Sequence, residues 1–347
     1  MTIRRRQTCA GGIEMASKPG ILGIGDALPP HVVTNRDLES HLDTSDEWIV
    51  RRTGIRERHH LDPGDSLADL AAQAANAALL DACVPPSGID HVIAATITPD
   101  QLTPGLAPAL AAKVGLERAG VVDLNAACTG FLYALEHAAA LVESGRARNV
   151  LVVAAEALSR ITDHEDRATA VLFGDGAGAV VVGPIEEGLG IAGFEFGYDA
   201  KLAPLLFAER DARRLQMAGQ ETYRHAVARM TEASQNLLER LQIDAADIDY
   251  FVPHQANARI VTAVADALGL PHERVSLNVE WTANTSAASI PLALAAAQRD
   301  GHLQPGSLVA MVAFGAGFVW GAALSSWKDG SRPVHSGAAQ RLETRSR

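Results

Sequence analysis

The chain has 347 residues, of which 48% are hydrophobic and 20% charged, and 41 acidic residues against 30 basic ones give a net charge of −11. This composition is typical of a globular protein with a large apolar core, and the acidic balance argues against nucleic acid and anionic membranes as partners. Three scattered cysteines without CxxC spacing argue against a disulfide framework or a zinc site and favour a reducing, cytoplasmic compartment.

Short apolar runs alternate with longer helical patterns, which predicts an α/β fold. Residues 1–17 are polar and basic and are interpreted as a disordered N-terminal extension, and the first half of the fold is expected over residues 18–184. Its predicted elements, in chain order, are a strand at 21–25, a helix at 66–83, a strand at 89–98, a helix at 108–114, a strand at 120–125, a helix at 129–143 and strands at 149–154 and 178–182.

The same alternation returns in a second half, expected over residues 185–329 and followed by a flexible tail at 330–347. Its predicted elements are a helix at 225–241, a strand at 248–252, a helix at 258–267, a strand at 275–279, a helix at 285–298 and a strand at 307–312. No apolar run in either half is long enough to span a bilayer.

Three dipeptides recur in the same order in both halves. They are Ile89-Asp90 with Ile248-Asp249, Gly115-Leu116 with Gly269-Leu270, and Leu124-Asn125 with Leu277-Asn278. Offsets of 159, 154 and 153 residues predict two similar supersecondary units. Chance agreement in an alanine-rich chain is the alternative.

Cys128 lies between a strand pattern and a helix pattern. At that position it meets the unpaired N–H groups and the positive end of the helix dipole, which stabilise a thiolate. Its small neighbours, Ala127 and Gly130 among them, leave room for a substrate. A buried structural cysteine is the alternative, and it is the commoner fate of this residue type. Cys83 has no such setting and is expected to pack.

His254 and Asn284 are the other candidates for chemistry. His254 follows the strand pattern at 248–252, and catalytic residues of α/β proteins favour such strand ends. Asn284 lies in a loop of small residues before a helix, where an ordinary helix cap is the alternative. Both belong to the half without Cys128, and halves that pack together would bring the three side chains to one cleft.

Two further motifs are discounted. The glycine-rich run at 174–179 does not match GxGxxG and leads into a strand, so a dinucleotide site is not expected. The acidic cluster at 162–167 lacks metal-ligand spacing and is interpreted as a solvated loop. No metal and no cofactor are expected.

Five motifs resemble those of β-ketoacyl-acyl-carrier-protein synthase III, over residues 21–327. Three surround the candidates above: residues 125–131 (Asn-Ala-Ala-Cys-Thr-Gly-Phe), 252–260 (Val-Pro-His-Gln-Ala-Asn-Ala-Arg-Ile) and 284–291 (Asn-Thr-Ser-Ala-Ala-Ser-Ile-Pro). The other two cover residues 44–56 and 313–321. The resemblance implies a thiolase-like fold of two similar halves in a five-layered αβαβα arrangement, and a homodimer.

The resemblance also implies a reaction in two stages. Cys128 would take an acyl group from acyl-CoA, and His254 with Asn284 would then bind the carbonyl of a malonyl carrier thioester as carbon dioxide leaves. The backbone amides of Cys128 and Ala316 would form the oxyanion hole. For the CoA portion, the family pattern implies adenine between Trp48 and Arg167, with Arg52 and Asn257 further along.

Several positions depart from the family pattern. Thr103 stands where many members have a phenylalanine that closes the acyl pocket of the partner subunit, which predicts a bulkier primer than acetyl. Alanine replaces a common glycine at positions 283 and 316, where a β-carbon shifts the backbone if φ is positive. Carrier docking is expected to rest on Arg224 and Arg259, while Asp266 and Ala267 replace common lysines and weaken the pull on an acidic carrier.

Four alternatives stand against a condensing enzyme of fatty acid initiation. A starter-unit or CoA-acceptor enzyme of secondary metabolism follows from the weakened docking surface. A degradative thiolase needs a second cysteine in the C-terminal half, and none follows Cys128. A catalytically silent acyl-binding relative is disfavoured by the intact set of Cys128, His254 and Asn284. A papain-like hydrolase lacks its usual cysteine context.

Overall fold

The computed structural model of the chain describes residues 18–186, 188–209 and 214–328. The extension expected at 1–17 and the tail expected at 330–347 lie outside the described residues. The strands are β1 (Lys18–Ala27), β2 (His31–Thr34), β3 (Glu57–His60), β4 (His91–Ala95), β5 (Gly120–Leu124), β6 (Val150–Ala157), β7 (Asp175–Ile185), β8 (Ile191–Tyr198), β9 (Leu206–Ala208), β10 (Leu215–Met217), β11 (Tyr250–Pro253), β12 (Leu308–Gly315) and β13 (Val319–Ser326).

The helices alternate with these strands, most clearly in the two halves of the core. They are α1 (Asn35–Glu39), α2 (Asp46–Thr53), α3 (Leu67–Asp81), α4 (Leu106–Val114), α5 (Gly130–Glu143), α6 (Arg167–Ala170), α7 (Gly219–Leu241), α8 (Ala258–Leu268), α9 (Val279–Thr282) and α10 (Ser289–Arg299). Within the described parts of the chain, no helix combines the length and the apolar character needed to cross a membrane.

Two sheets and three helical layers form the core. One sheet has the order β1-β7-β6-β4-β5 and the other the order β11-β12-β13-β8. Apolar residues on one face of each sheet pack around α5 and α10, which lie between the sheets. The outer faces pack against α3 with α4 and against α7 with α8. Each sheet is therefore covered by helices on both faces, as expected when alternate strand residues face opposite sides, and the expected five-layered thiolase-like arrangement is confirmed.

Two of the three recurring dipeptide pairs occupy equivalent places. Asp90 precedes β4 and accepts a hydrogen bond from the Asn149 amide at 3.1 Å, and Asp249 precedes β11 and accepts one from the Leu308 amide at 2.7 Å. Each carboxylate thereby holds the start of the neighbouring parallel strand. Gly115 and Gly269 end α4 and α8 in the left-handed conformation, with φ of 79° and 68°.

The strand predicted at 275–279 is wrong. Only an isolated bridge joins Val275 to Phe251, and α9 begins at Val279. The side chain of buried Gln255 takes the place of a ladder partner, since its Oε1 accepts the amides of Asn278 and Val279 at 3.1 and 3.2 Å. A backbone whose hydrogen bonds are satisfied by a side chain has no need of a neighbouring strand.

Other predicted elements differ mainly at their ends. The helices predicted at 129–143 and 285–298 each begin with a short 3₁₀ turn, at Ala127–Thr129 and Ser286–Ala288. The sequence interpretation did not include β2, β3, β8, β9, β10 or β13. The last strand of the first half, β7, ends at Ile185, next to the proposed boundary between the halves.

Candidate active site

The structure brings the three candidates for chemistry together at one largely apolar cavity. Cys128, His254 and Asn284 all line it, as does Ala316. Aliphatic and aromatic side chains from the β9–β10 hairpin and α7 form much of the remaining wall, including Leu206, Phe207, Leu215, Met217 and Met230. The cleft predicted between the halves is therefore present, and its wall suits an apolar group.

Cys128 lies in the 3₁₀ turn that leads from β5 into α5. Gly315 packs so closely beneath it that a β-carbon there would lie 2.7 Å from the Cys128 nitrogen, which requires glycine. The pKa of the Cys128 thiol is raised to about 12, mainly by burial and in part by Glu156, while the Ser286 hydroxyl acts in the opposite direction. The helix terminus expected to stabilise a thiolate does not offset burial, so the resting group is a thiol.

His254 is 2% exposed and follows β11. Its amide donates to the Val312 carbonyl at 2.7 Å, and its Nδ1 lies 2.5 Å from the Ser289 hydroxyl. Burial lowers the pKa of His254 to about 3, so the imidazole is neutral at physiological pH. The sequence interpretation missed Ser289, although its place in the small-residue run after Asn284 was a usable signal.

Asn284 is held from both its backbone and its side chain. Its amide donates to the Leu172 carbonyl at 2.9 Å, and its Oδ1 accepts the Ser286 amide at 2.9 Å. With Oδ1 occupied, Nδ2 is the group left to donate. The preceding Ala283 has φ of 54°, so the β-carbon concern applies at this position and not at Ala316. Gly174, in the glycine-rich run, donates its amide to the Asn284 carbonyl at 3.0 Å.

The residues expected to contact CoA cluster beside α2. The Arg167 guanidinium lies 5.0 Å from the Trp48 ring centroid and that of Arg52 lies 5.9 Å from it. Asn257 lines the cavity, but its side chain is already engaged: Oδ1 accepts the Arg259 amide at 2.9 Å at the start of α8, and Nδ2 donates to the Arg52 carbonyl at 3.1 Å. It therefore joins α2 to α8 at the cavity.

The remaining expected positions lie at the surface. Arg259 stacks over Tyr223, a cavity-lining residue, at 5.3 Å, while Arg224 pairs with Glu221 on the same helix. Thr103 is exposed and does not line the cavity of its own chain.

Two further side chains differ from the sequence interpretation. Cys83 is exposed, so the expectation that it packs is wrong. Glu156 was missed by sequence interpretation; it is 0% exposed in the apolar strand β6, and a carboxylate within such a strand was the available signal. Among the described residues, no group of three or more His, Cys, Asp or Glu side chains is placed to hold a metal ion.

Two family models match the chain, one in each half. The model described as 3-oxoacyl-[acyl-carrier-protein (ACP)] synthase III matches residues 122–200, and the one for the C-terminal part of the same enzyme matches 238–327. The chain is 44% identical, over 322 residues, to the β-ketoacyl-[acyl-carrier-protein] synthase III of Desulfitobacterium hafniense, with 89% of this chain and 97% of that protein covered.

Solved structures agree with these matches. The crystal structure of 3-oxoacyl-[acyl-carrier-protein] synthase III from Aquifex aeolicus has a TM-score of 0.87 and 42% identity, covering 89% of this chain and 100% of that one. The priming β-ketosynthase of a polyketide biosynthetic pathway has a TM-score of 0.86 and 38% identity, covering 92% and 99%.

Proposed function

The chain belongs to the 3-oxoacyl-[acyl-carrier-protein] synthase III family, and we propose that Cys128 carries the primer in its decarboxylative condensation of an acyl-CoA with a malonyl carrier thioester. The protein is an acyltransferase of fatty acid initiation. The observation that carries the assignment of roles is the convergence of Cys128, His254 and Asn284 on one apolar cavity.

In the first stage, the Cys128 sulfur attacks the thioester carbonyl of acyl-CoA. The carbon–sulfur bond to CoA breaks and the acyl group remains on the enzyme. The tetrahedral oxyanion is held by the backbone amides of Cys128 and Ala316, and the apolar wall receives the acyl chain. On the surface beside α2, Trp48, Arg52 and Arg167 offer stacking and cationic contacts for the adenine and phosphates.

In the second stage, His254 and Asn284 both donate to the carbonyl oxygen of the malonyl thioester. Carbon dioxide leaves, the resulting enolate is stabilised by the two donors, and its carbon attacks the acyl group on Cys128. Each donor acts in a dry site, where losing one costs roughly 3–4 kcal/mol. These steps need no cofactor, because side-chain and backbone donors carry the charge that develops.

Ser289 fixes the His254 tautomer in this scheme. When its hydroxyl donates to Nδ1, the neutral ring carries its proton on Nε2, which is the atom that must donate to substrate. We expect Ser289→Ala to cost about 1–3 kcal/mol in the condensation step, which corresponds to a roughly tenfold or greater fall in rate. Stopped-flow measurement of condensation would show it, with self-acylation of Cys128 unchanged in the same variant. Equal loss in both steps would contradict the assigned role.

A homodimer is supported by the edge of the first sheet. β5 is its last strand, and Val121 and Val122 on it are 39% and 53% exposed. An unpaired strand edge with apolar side chains is a ready surface for a second copy. Leu102, which is 77% exposed, and Thr103 lie in the loop between β4 and α4. The end of this loop is joined to β5 by hydrogen bonds from the Leu106 and Ala107 amides to Asp123, so we place the loop at the interface of the proposed dimer.

Thr103 sets primer size in the proposed dimer. We expect Thr103→Phe to retain self-acylation by acetyl-CoA and to lose it for branched or longer acyl-CoA substrates, because the larger ring fills the end of the pocket. Intact-mass analysis of the wild type and the variant against one series of acyl-CoA substrates measures the change. The same preference in both proteins would contradict a role for this position.

A second candidate function rests on the surface that would meet the malonyl acceptor. Arg259 stacks over cavity-lining Tyr223, but Glu221 offsets the charge of Arg224, and exposed Asp266 pairs with His272. This weakened basic surface favours a starter-unit enzyme of secondary metabolism or a CoA-bound malonyl acceptor. Because the first stage needs a reduced thiol and an acyl-CoA thioester, we propose a cytoplasmic location.

A product assay tests the proposed function and separates the two candidates. Acyl-CoA is supplied with either malonyl carrier protein or malonyl-CoA, and carbon dioxide and 3-oxoacyl product are quantified together. Equal amounts of both products, with the carrier preferred, are expected for fatty acid initiation, and preference for malonyl-CoA would favour the alternative. Hydrolysis of acyl-CoA with no carbon–carbon bond formed would contradict both.

A further inference from the structure

Glu156 is a buried carboxyl in a strand that contacts the turn of Ser286, near the candidate nucleophile. It belongs to β6, whose residues are all buried. One of its oxygens, Oε2, accepts hydrogen bonds from the Thr98 hydroxyl at 2.6 Å, the Ile97 amide at 3.1 Å and the Thr96 hydroxyl at 3.2 Å. A buried carboxyl is costly unless such donors satisfy it.

The two threonine hydroxyls are fixed as donors to this oxygen. Thr98 Oγ1 already accepts the Ala157 amide at 2.8 Å, and Thr96 Oγ1 accepts the Thr98 amide at 3.1 Å. Each hydroxyl therefore turns its own proton toward Glu156 Oε2. With three donors directed at Oε2, a proton that binds the carboxyl must bind to Oε1.

Glu156 Oε1 is a hydrogen-bond acceptor and the Ser286 hydroxyl a hydrogen-bond donor, and each is unpaired in the part of the chain that the structure describes. Both atoms are buried, and neither has a hydrogen-bond partner of good geometry among the described residues. The turn that carries Ser286 contacts both β6 and the turn that carries Cys128, and the Ser286 hydroxyl lowers the pKa of both Glu156 and Cys128. A buried donor and acceptor that lack other partners are stabilised by pairing with each other.

We propose that Ser286 and Glu156 form a proton relay that deprotonates Cys128 as it attacks acyl-CoA. This inference rests on the proposed function, because it assigns the base for its first stage. Ser286 lines the same cavity as Cys128 and receives the thiol proton in this scheme, whereas Glu156 acts through Ser286 and is a positioning residue that stores the proton.

Atoms and charges balance across both stages. The Cys128 thiol proton moves to Ser286 Oγ as the Ser286 proton moves to Glu156 Oε1, the sulfur–acyl bond forms, and CoA leaves as a thiolate that takes a proton from water. After condensation expels the Cys128 thiolate, the proton returns from Glu156 through Ser286. The relay thus replaces one buried anion by another and adds no net charge to the dry site.

The relay has a defined pH dependence. Burial raises the pKa of Glu156 to about 7. Below that value the carboxyl already holds a proton and cannot accept one, so self-acylation should rise as pH increases through about 7. The groups that face Glu156 are the uncharged side chains of Thr96, Thr98 and Ser286 and, on β7, its pairing partner Gly176. Cys128 is the titratable group that interacts with it.

Glu156→Gln tests the relay, because the amide keeps the shape and cannot store the proton. The expected result is a roughly hundredfold slower self-acylation without the rise near pH 7, while decarboxylation of the malonyl thioester by His254 and Asn284 is unchanged. Removing the negative charge alone would lower the Cys128 pKa and speed acylation. A variant that acylates as fast as the wild type or faster would therefore overturn the proposal.

Two further variants keep the test decisive. Ser286→Ala should reproduce the loss of self-acylation and of the pH dependence even if the glutamine variant folds poorly. Asp175→Asn is the matched control: Asp175 is 0% exposed and pairs with Ala157 across the same strands, so it faces the opposite side of the sheet. It should retain the rise near pH 7. If the wild type itself does not self-acylate, the proposed function fails. If the wild type self-acylates, and the Glu156 and Ser286 variants do so at the same rate and with the same pH dependence, the relay alone fails.

Discussion

Cys128→Ala is expected to abolish acyl transfer while leaving decarboxylation of the malonyl thioester measurable. Cys128 is the one thiol among the described residues that line the cavity, whereas His254 and Asn284 retain the donors that stabilise the enolate. Self-acylation is followed by intact mass, and decarboxylation by release of carbon dioxide from a malonyl thioester. Loss of both activities, with the fold intact by circular dichroism, would contradict this division of roles.

Cys83 provides the matched control for that experiment. It is the other cysteine of the described residues and is exposed, so a reactive thioester could label it without catalysis. Cys83→Ala is expected to acylate like the wild type. Labelling that persists in Cys128→Ala and disappears in Cys83→Ala would place the acyl group at the surface and would sink the assignment of the nucleophile.

His254→Ala and Asn284→Ala are each expected to slow condensation by about 10²–10³-fold, because each removes one donor from the enolate oxygen. Self-acylation should fall far less, since the oxyanion of that stage is assigned to backbone amides. Rapid-quench measurement of the two stages separates the effects. The double variant should lose less than the sum of the single losses in free energy, because both donors act on one oxygen.

The pH dependence of condensation gives a second view of His254. Its pKa is lowered to about 3 by burial, so the neutral donor form is present throughout the physiological range. We expect no His254 titration in the condensation rate near pH 6.5, the ordinary value for histidine. A rate that falls as His254 loses a proton near that pH would show that the charged imidazole is the active form.

The placement of the reactive residues could be predicted, because it follows from chain order. Strand ends and helix starts carry Cys128, His254 and Asn284, and the echo between Asp90 and Asp249 indicated that two similar units share the cleft. Because the regular geometry of strands and helices follows from local sequence patterns, these positions can be predicted without knowledge of the tertiary packing. The resemblance then supplied roles that position alone left open.

The supporting groups could not be predicted in the same way. Ser289 acts on a histidine 35 residues away. Glu156 comes near Cys128 only because β6 contacts the turn that carries Ser286. Such contacts depend on tertiary packing. The same limit explains the wrong strand at 275–279, where the side chain of Gln255 satisfies the backbone. It also explains why burial, and not the helix terminus, dominates the pKa of Cys128.

A single-turnover chase with intact-mass detection tests the central claim most directly. The protein is loaded with acyl-CoA, freed of excess substrate and then mixed with the malonyl thioester of the preferred acceptor. The predicted result is one acyl group per chain, mapped to Cys128, that disappears as one equivalent each of carbon dioxide and 3-oxoacyl product forms. An acyl-enzyme that survives the chase, or that releases free acid without a 3-oxoacyl product, would contradict decarboxylative condensation at this site.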